Sequence, residues 1–252
     1  MNNFVRESYI VFRRQLRMNL RNPAWVIIGM VQPVLYLLLF GPLLTPLVDR
    51  FGADNAYTFF VPGLLVQLGI FGAFFAGFSL IGEWREGVIE AERVTPASRT
   101  ALLVGRLGRD LLQLFVQALI LVGLGYLMGM EGTLRGVTLG VLLTLLLGGA
   151  CAAASNAFAL TTKSEEVMAP VINMVMMPVL LLSGILLPMT IGPDWLRTVS
   201  DWMPIKHVVN GVRSSFAGDY AASGVLWGCL WCVLLFSLAI WWGTATFRKE
   251  NS

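Results

Sequence analysis

A chain of 252 residues, 56% hydrophobic and 13% charged, with a mean hydropathy of +0.72, is too apolar for a soluble domain and belongs to the membrane-protein class. Its net charge of +3 gives a nucleic-acid partner little to bind. Three cysteines, Cys151, Cys229 and Cys232, all fall in apolar runs; they form no disulfide framework or zinc set and read as small packing residues.

Charge placement sets the topology. A charge near the bilayer centre is costly, so spans read as charge-free runs of roughly 20 residues. Six such runs occur, at residues 22–48, 55–82, 111–130, 136–162, 167–193 and 220–247. All 33 charged side chains lie outside them. With both termini in the cytoplasm, the inner segments hold 13 Lys and Arg and the outer segments 5, which supports that orientation. The fold class is therefore an all-α polytopic membrane protein in a plasma (bacterial inner) membrane. The first run is long and is preceded by about twenty residues, so it does not read as a cleaved signal.

Before the first span, residues 4–20 show a helical period. Arg6, Arg13, Arg14 and Arg17 share one side, and Phe4, Val5, Phe12 and Leu16 the other, which predicts an amphipathic helix over 1–21 in the headgroup layer. Span one starts near Pro23 and carries Pro33, Pro42 and Pro46, predicting a kink. Between spans two and three, residues 83–94 predict a short charged cytoplasmic rod that Pro96 ends, suited to docking a soluble partner. Span four contains Gly148, Gly149, Ala150, Ala152, Ala153, Ala154, Ser155 and Ala157, a surface for close helix approach; Gly125-x-x-x-Gly129 and Gly136-x-x-x-Gly140 repeat the signal more weakly.

The outer segment, 188–219, has apolar residues at near-helical spacing on both sides of Pro204: Trp195, Leu196, Val199 and Trp202, then Val208, Val209, Val212 and Phe216. Two short re-entrant helices are expected, burying these residues in the outer membrane surface and leaving Asp194, Arg197, Asp201 and Arg213 near water.

Catalytic patterns are missing. Lys163-Ser164 follows Thr161 and Thr162 in place of a glycine-rich phosphate loop, so the chain carries no nucleotide-hydrolysing motif of that kind. The sole histidine, His207, lies beside Lys206 with no carboxylate or cysteine cluster near it in sequence, and it reads as an interfacial residue. Polar residues within spans are neutral: Gln32, Gln67, Gln113, Gln117, Asn156 and Asn173. Proton relays and fixed ion sites are disfavoured by that set.

These features together, namely the basic amino terminus with Arg21-Asn22-Pro23, the loop from Arg85-Glu86-Gly87 to Pro96-x-x-Arg99, and the outer segment from Pro188 through Trp195-Leu196, Pro204 and Arg213, resemble a type-2 ABC transporter permease, in the daunorubicin-resistance group of drug exporters. The resemblance covers nearly the whole chain, as one transmembrane domain over 1–252. It implies a dimer of permeases, homo- or heterodimeric, docked on two copies of a separate ATPase subunit that holds the ATP and magnesium. This chain itself would bind no cofactor or metal and carry no catalytic residue. Residues 83–96 would be the coupling helix, with Glu83, Arg85, Glu86, Glu90 and Arg93 contacting the ATPase. The 188–219 segment would form the outer gate, with Trp195, Trp202, Pro204 and Arg213 as its candidates.

For the substrate path, spacing puts Gln67, Phe71, Phe74 and Phe78 on one face of span two and Asn173, Met174 and Met177 on one face of span five. An aromatic and methionine wall between them would suit a hydrophobic drug or antibiotic-like substrate. Export of a lipid-linked polysaccharide or glycolipid is the alternative within the same machinery; a lipid enzyme using Asp194, Asp201 and His207, or a scaffold without transport, are readings of a different class.

Overall fold

The computed structural model describes residues 2–21, 24–47, 55–93 and 98–249. Ten α-helices account for most of them: α1 (Asn2–Arg21), α2 (Ala24–Leu44), α3 (Ala56–Arg85), α4 (Val88–Arg93), α5 (Arg99–Leu127), α6 (Leu134–Thr162), α7 (Glu165–Leu182), α8 (Asp194–Asp201), α9 (Pro204–Phe216) and α10 (Ser223–Lys249). Helices α2, α3, α5, α6, α7 and α10 are long and apolar enough to cross a membrane. The chain is thus an all-α polytopic membrane protein with six membrane-length helices. The expected helix start at Pro23 and stop at Pro96 fall outside the described residues.

Helix boundaries follow local chemistry. Asn55 accepts a bond from Tyr57 N at 2.8 Å and so caps α3, Ser98 caps α5 through Ala101 N at 3.3 Å, and Thr133 caps α6 through Gly136 N at 3.2 Å. Pro204 occupies the first position of α9, where its missing N–H costs nothing. Helix α2 continues past Pro33 and Pro42 and ends in a 3-10 turn at Thr45–Leu47.

The core is built around α3 and α6. Gly69 lies against Thr144 and Gly148, and Gly77 against Ser155 and Met168, so the two backbones meet with little between them. Ser155 Oγ stitches the contact, donating to Phe74 O at 2.8 Å and accepting from Gly77 N at 3.2 Å. The small-residue stretch of span four supplies Gly148 and Ser155 to this seam, while its Gly149 faces Phe236 of α10. Gly136 and Gly140 face Ser215, Phe216 and Val212 of α9, a close helix contact as expected. Gly129 does different work: at φ +94° it closes α5 in a turn, a backbone conformation that side chains disfavour.

Four sequence expectations need correction. The separate rod over 83–94 is interrupted, because α3 runs on to Arg85 and Gly87, at φ +73°, turns the chain into α4. Span three starts about ten residues early: α5 begins at Arg99, so Arg106, Arg109 and Asp110 stand on a membrane-length helix instead of in a loop. Val208, Val209, Val212 and Phe216 are fully enclosed by protein, since the Gly136–Gly140 groove gives α9 a dry surface to fill. Helix α1 turns Val11 and Gln15 inward, where Gly105 of α5 admits Val11 and Ser8 and Gly108 admits Phe12; its arginines 6, 13, 14 and 17 remain exposed, as do Phe4 and Val5.

Candidate functional site

Three neighbourhoods carry polar chemistry, and the first lies where α1 meets the ends of α3 and α5. Glu83 and Arg106 form a 2.8 Å ion pair with side chains only 8% and 3% exposed. Both Arg106 Nε and Nη2 donate to Glu83 Oε2, while Gln15 Nε2 of α1 donates to Oε1 at 2.7 Å. Arg109 Nη1 donates to Gln15 Oε1 at 3.1 Å and to Ser79 Oγ at 3.3 Å, and its other nitrogens bind Asp110 Oδ1. Every link but the last crosses between helices, and together they join α1, α3 and α5 pairwise. Charges this enclosed persist only when paired and hydrogen-bonded, so the network fixes the amino-terminal helix to the ends of two spans.

Beside this knot, α4 projects a charged edge. Glu86, in the turn before it, and Glu90 on it are exposed, and Ile89 is buried in a cluster with Leu80, Ile81 and Leu103, seating the short helix on α3. Arg85 is half exposed and pairs with Glu165 at the start of α7 at 3.1 Å. The geometry therefore divides the five residues singled out for docking. Glu86 and Glu90 face outward, Arg85 is engaged with span five, and Glu83 is turned into the protein, because Arg106 and Gln15 supply the partners its carboxylate needs. Arg93 ends α4; its side chain lies outside the described residues.

Two adjoining cavities form the second neighbourhood. One, of about 140 Å³, sits between α2, α3 and α5 and is lined by Gln32, Gln67, Phe71, Phe75, Gln113 and Gln117 among others. The second, of about 380 Å³, lies toward α1 and adds Asn19, Ser79, Arg109, Asp110 and Glu165. Gly72, Phe75 and Gln113 border both. Gln67 and Phe71 thus face the first cavity and Phe78 the second, whereas Phe74 lines neither. Asn173, Met174 and Met177 are exposed along α7 and share no described cavity with the span-two set. A single chain does not close the wall expected between spans two and five.

At the opposite end, α8 and α9 provide the two short helices expected around Pro204. Trp195 and Trp202 are exposed, at 67% and 84%. Arg213 is not left near water: its Nη2 donates to Ile185 O at 3.0 Å, its Nε to Phe59 O at 3.3 Å, and the guanidinium lies 3.9 Å from the Phe59 ring centre. Those backbone acceptors make Arg213 a clamp between α9, α3 and the segment after α7. Asp201 bonds Lys206 Nζ at 2.7 Å, and that hydrogen bond holds its carboxyl below the usual range. His207 stacks on Trp231 at 6.2 Å and approaches Asp201 O at 3.0 Å, with no carboxylate bonded to its ring. Among the described residues no three His, Cys, Asp or Glu side chains gather as a metal set.

Sequence reasoning missed Gln15, Arg106, Arg109 and Asp110. Their signal was a run of charges abutting the apolar stretch at 111, which reads equally well as a loop or as the buried foot of a span.

An all-helical bundle of six membrane-length helices, with small helices at each end and buried polar ties between them, defines a polytopic membrane protein. The ABC-2 type transporter family matches residues 6–217, and the chain belongs to that family. It is 26% identical over 201 residues to the "Daunorubicin resistance ABC transporter permease protein DrrB1" of Streptomyces coeruleorubidus, covering 78% of this chain and 70% of that protein. It is 25% identical over 214 residues to the "Putative transport permease ycf38" of Cyanophora paradoxa, covering 83% and 74%. The "Probable multidrug ABC transporter permease YbhR" of Escherichia coli (strain K12) is 25% identical over 192 residues, covering 71% and 49%.

Proposed function

We propose that this chain is the permease half of an ATP-driven exporter that moves a hydrophobic, drug-like molecule out of the cell, with a second permease and two copies of an ATPase subunit as partners. The α1 end of the bundle is cytoplasmic in this reading, as the Lys and Arg bias favours. One observation carries it: Glu86 at the end of α3 and Glu90 on α4 face outward, directly after the segment that the Glu83–Arg106 pair locks to α5 and α1. A soluble subunit pressing on that edge moves α3, α5 and α1 together, since the buried pair resists separation. Displacement of spans two and three then opens or closes a path along α3.

The exposed methionines of α7 support a second permease as neighbour. Met174 and Met177, 80% and 68% exposed, would complete an adaptable apolar wall only with another chain opposite them. Relatives named for daunorubicin resistance and multidrug transport favour a drug-like cargo over a glycan.

The test is co-purification of the tagged chain with the ATPase encoded beside it, comparing wild type with Glu86→Arg and Glu90→Arg. Both glutamates are exposed, so the variants are expected to fold normally and lose the complex together with its ATPase stimulation. Recovery of wild-type complex by the double variant sinks the docking assignment; a wild-type chain that captures no ATPase sinks the exporter reading.

A further inference from the structure

Helix α1 divides its circumference into three sectors, and only one of them is spent on the protein. On that side Gly105 admits Val11, Gly108 admits Phe12, and Gln15 bonds Glu83. At about 100° per residue, Val5, Tyr9 and Leu20 fall within about 60° of one another on the next sector. They are 66%, 60% and 73% exposed. Arg13, Arg6, Arg17 and Arg21 follow within about 80°, on the side opposite α5, with Ile10 among them. All four arginines are exposed.

Their charge is not neutralised locally. None of the four forms an ion pair with a described residue. Helix α1 holds five arginines and one glutamate, and that glutamate, Glu7, accepts from the backbone N–H of Ser98 at 2.9 Å. The helix ends at Arg21, shortly before α2 begins at Ala24, and it packs near the start of α5. It therefore lies at the end of the bundle where both of these spans begin. An apolar strip bordered by a basic one fits that level of a bilayer, with acyl chains below and headgroups beside it.

The order of the sectors separates lipid from a soluble partner. With Val5, Tyr9 and Leu20 toward acyl chains, the side turned away from the bilayer carries Glu7, Arg14 and Met18, and the four arginines face sideways in the headgroup plane. A protein approaching from water meets the first set, and lipid phosphates meet the second.

We propose that this free flank of α1 binds anionic phospholipids, with Arg6, Arg13 and Arg17 donating to their phosphates and Val5, Tyr9 and Leu20 lying along their acyl chains. Guanidinium groups suit phosphate oxygens in paired hydrogen bonds. A zwitterionic headgroup brings its own cation, so the net attraction selects lipids of net negative charge. The assignment concerns lipid at the α1 end of the bundle and holds or fails separately from ATPase docking through Glu86 and Glu90.

The experiment is photocrosslinking of the full chain in phosphatidylcholine nanodiscs containing a trace of phosphatidylglycerol, or of phosphatidylcholine, with a diazirine in its acyl chain. Label on residues 2–21 is read by peptide mass spectrometry. In wild type, phosphatidylglycerol is expected to label α1 about tenfold more than phosphatidylcholine, since each arginine near anionic lipid contributes about 1 kcal/mol. Raising NaCl from about 0.1 M to about 1 M is expected to narrow that ratio, with no variant needed. The triple variant Arg6→Gln, Arg13→Gln, Arg17→Gln is expected to remove most of the preference, and Arg6→Lys, Arg13→Lys, Arg17→Lys to keep most of it. Arg135→Gln, at an exposed arginine of the opposite end, is expected to leave it unchanged. Equal labelling of α1 by the two lipids in wild type, no label on α1, or a preference that survives the glutamine triple variant overturns the proposal. A triple variant that keeps the preference and no longer co-purifies with an ATPase overturns it too, and assigns the arginines to that partner.

Discussion

Spans two and five of this permease are built to opposite plans. The apolar stretch of α3 is 67% buried within its own chain and that of α7 only 17%. Helix α3 meets α6 glycine to glycine, at Gly69 against Gly148 and again around Gly77 and Ser155. Helix α7 buries Met168, Met176 and Val179 and leaves Val171, Met174, Val175, Met177 and Leu181 exposed. Without a hydrophobic drive between helices in lipid, association depends on close approach. The first helix is therefore a fixed part of the subunit, and the second is held mainly at its ends, by Arg85 to Glu165 and by Ser200 Oγ donating to Leu182 O at 2.6 Å.

The sharpest way to break the fixed half is at its foot. Glu83→Ala removes the buried carboxylate that accepts from Arg106 Nε and Nη2 and from Gln15 Nε2, and about 3–5 kcal/mol of stability is expected to go. The thermal midpoint of the purified chain in nanodiscs reads this directly. The double variant Glu83→Met, Arg106→Met removes both charges and is expected to recover most of the loss, because the pair's own net contribution is small once desolvation is counted. Equal destabilisation by single and double variants would show that the charges are not paired as described.

A gentler break is steric. In Gly77→Ala the new methyl meets Met168, Ser155 Oγ and the Ser155 carbonyl, the last at 2.7 Å, whereas a Cβ at Gly82 meets nothing within 4 Å. Gly77→Ala is expected to cost about 1–3 kcal/mol by overpacking, with Gly82→Ala on the same helix close to neutral. Similar midpoints for the two variants would mean that the α3–α6 seam is not tight at Gly77. Gly105→Val applies the same logic to α1, since a Cβ there lies 2.7 Å from Val11 Cβ and 2.9 Å from Ser8 O. Loosening of α1 is read by limited trypsin digestion, as Arg6, Arg13, Arg14 and Arg17 already face outward. Faster cleavage at these sites is the expected outcome, with the remaining spans intact.

How much of this contrast was legible in the sequence depends on what each residue signals locally. Six apolar runs, the glycine and alanine surface of span four, and the break at Pro204 are local patterns, and the corresponding helices and contacts are where those patterns lead. The buried knot was not legible. Glu83, Arg106 and Arg109 look like loop charges until Gln15, nearly seventy residues earlier than Glu83, is folded against them. Arg213 was misplaced for the same reason, because its acceptors are backbone carbonyls of Phe59 and Ile185. Gln67 was visible as a polar residue in a span and grouped with Phe71, but which helices face it depends on how α2 and α5 pack. Side-chain pairing across helices is set by tertiary geometry, and composition and period do not encode it.

The smallest expected effect is on the other half of the comparison. Met174→Ala and Met177→Ala remove side chains that the chain itself does not enclose, so each is expected to change stability by no more than about 0.5 kcal/mol in a nanodisc holding one subunit. If that face belongs against a second permease, the pair of substitutions together lowers the yield of cysteine cross-links between copies carrying Asn173→Cys, while the thermal midpoint of the single subunit stays put. A face that only meets lipid gives no cross-links in the parent and no difference in the variant. The two readouts separate a surface waiting for protein from one already satisfied by acyl chains, which exposure alone does not distinguish in a membrane protein.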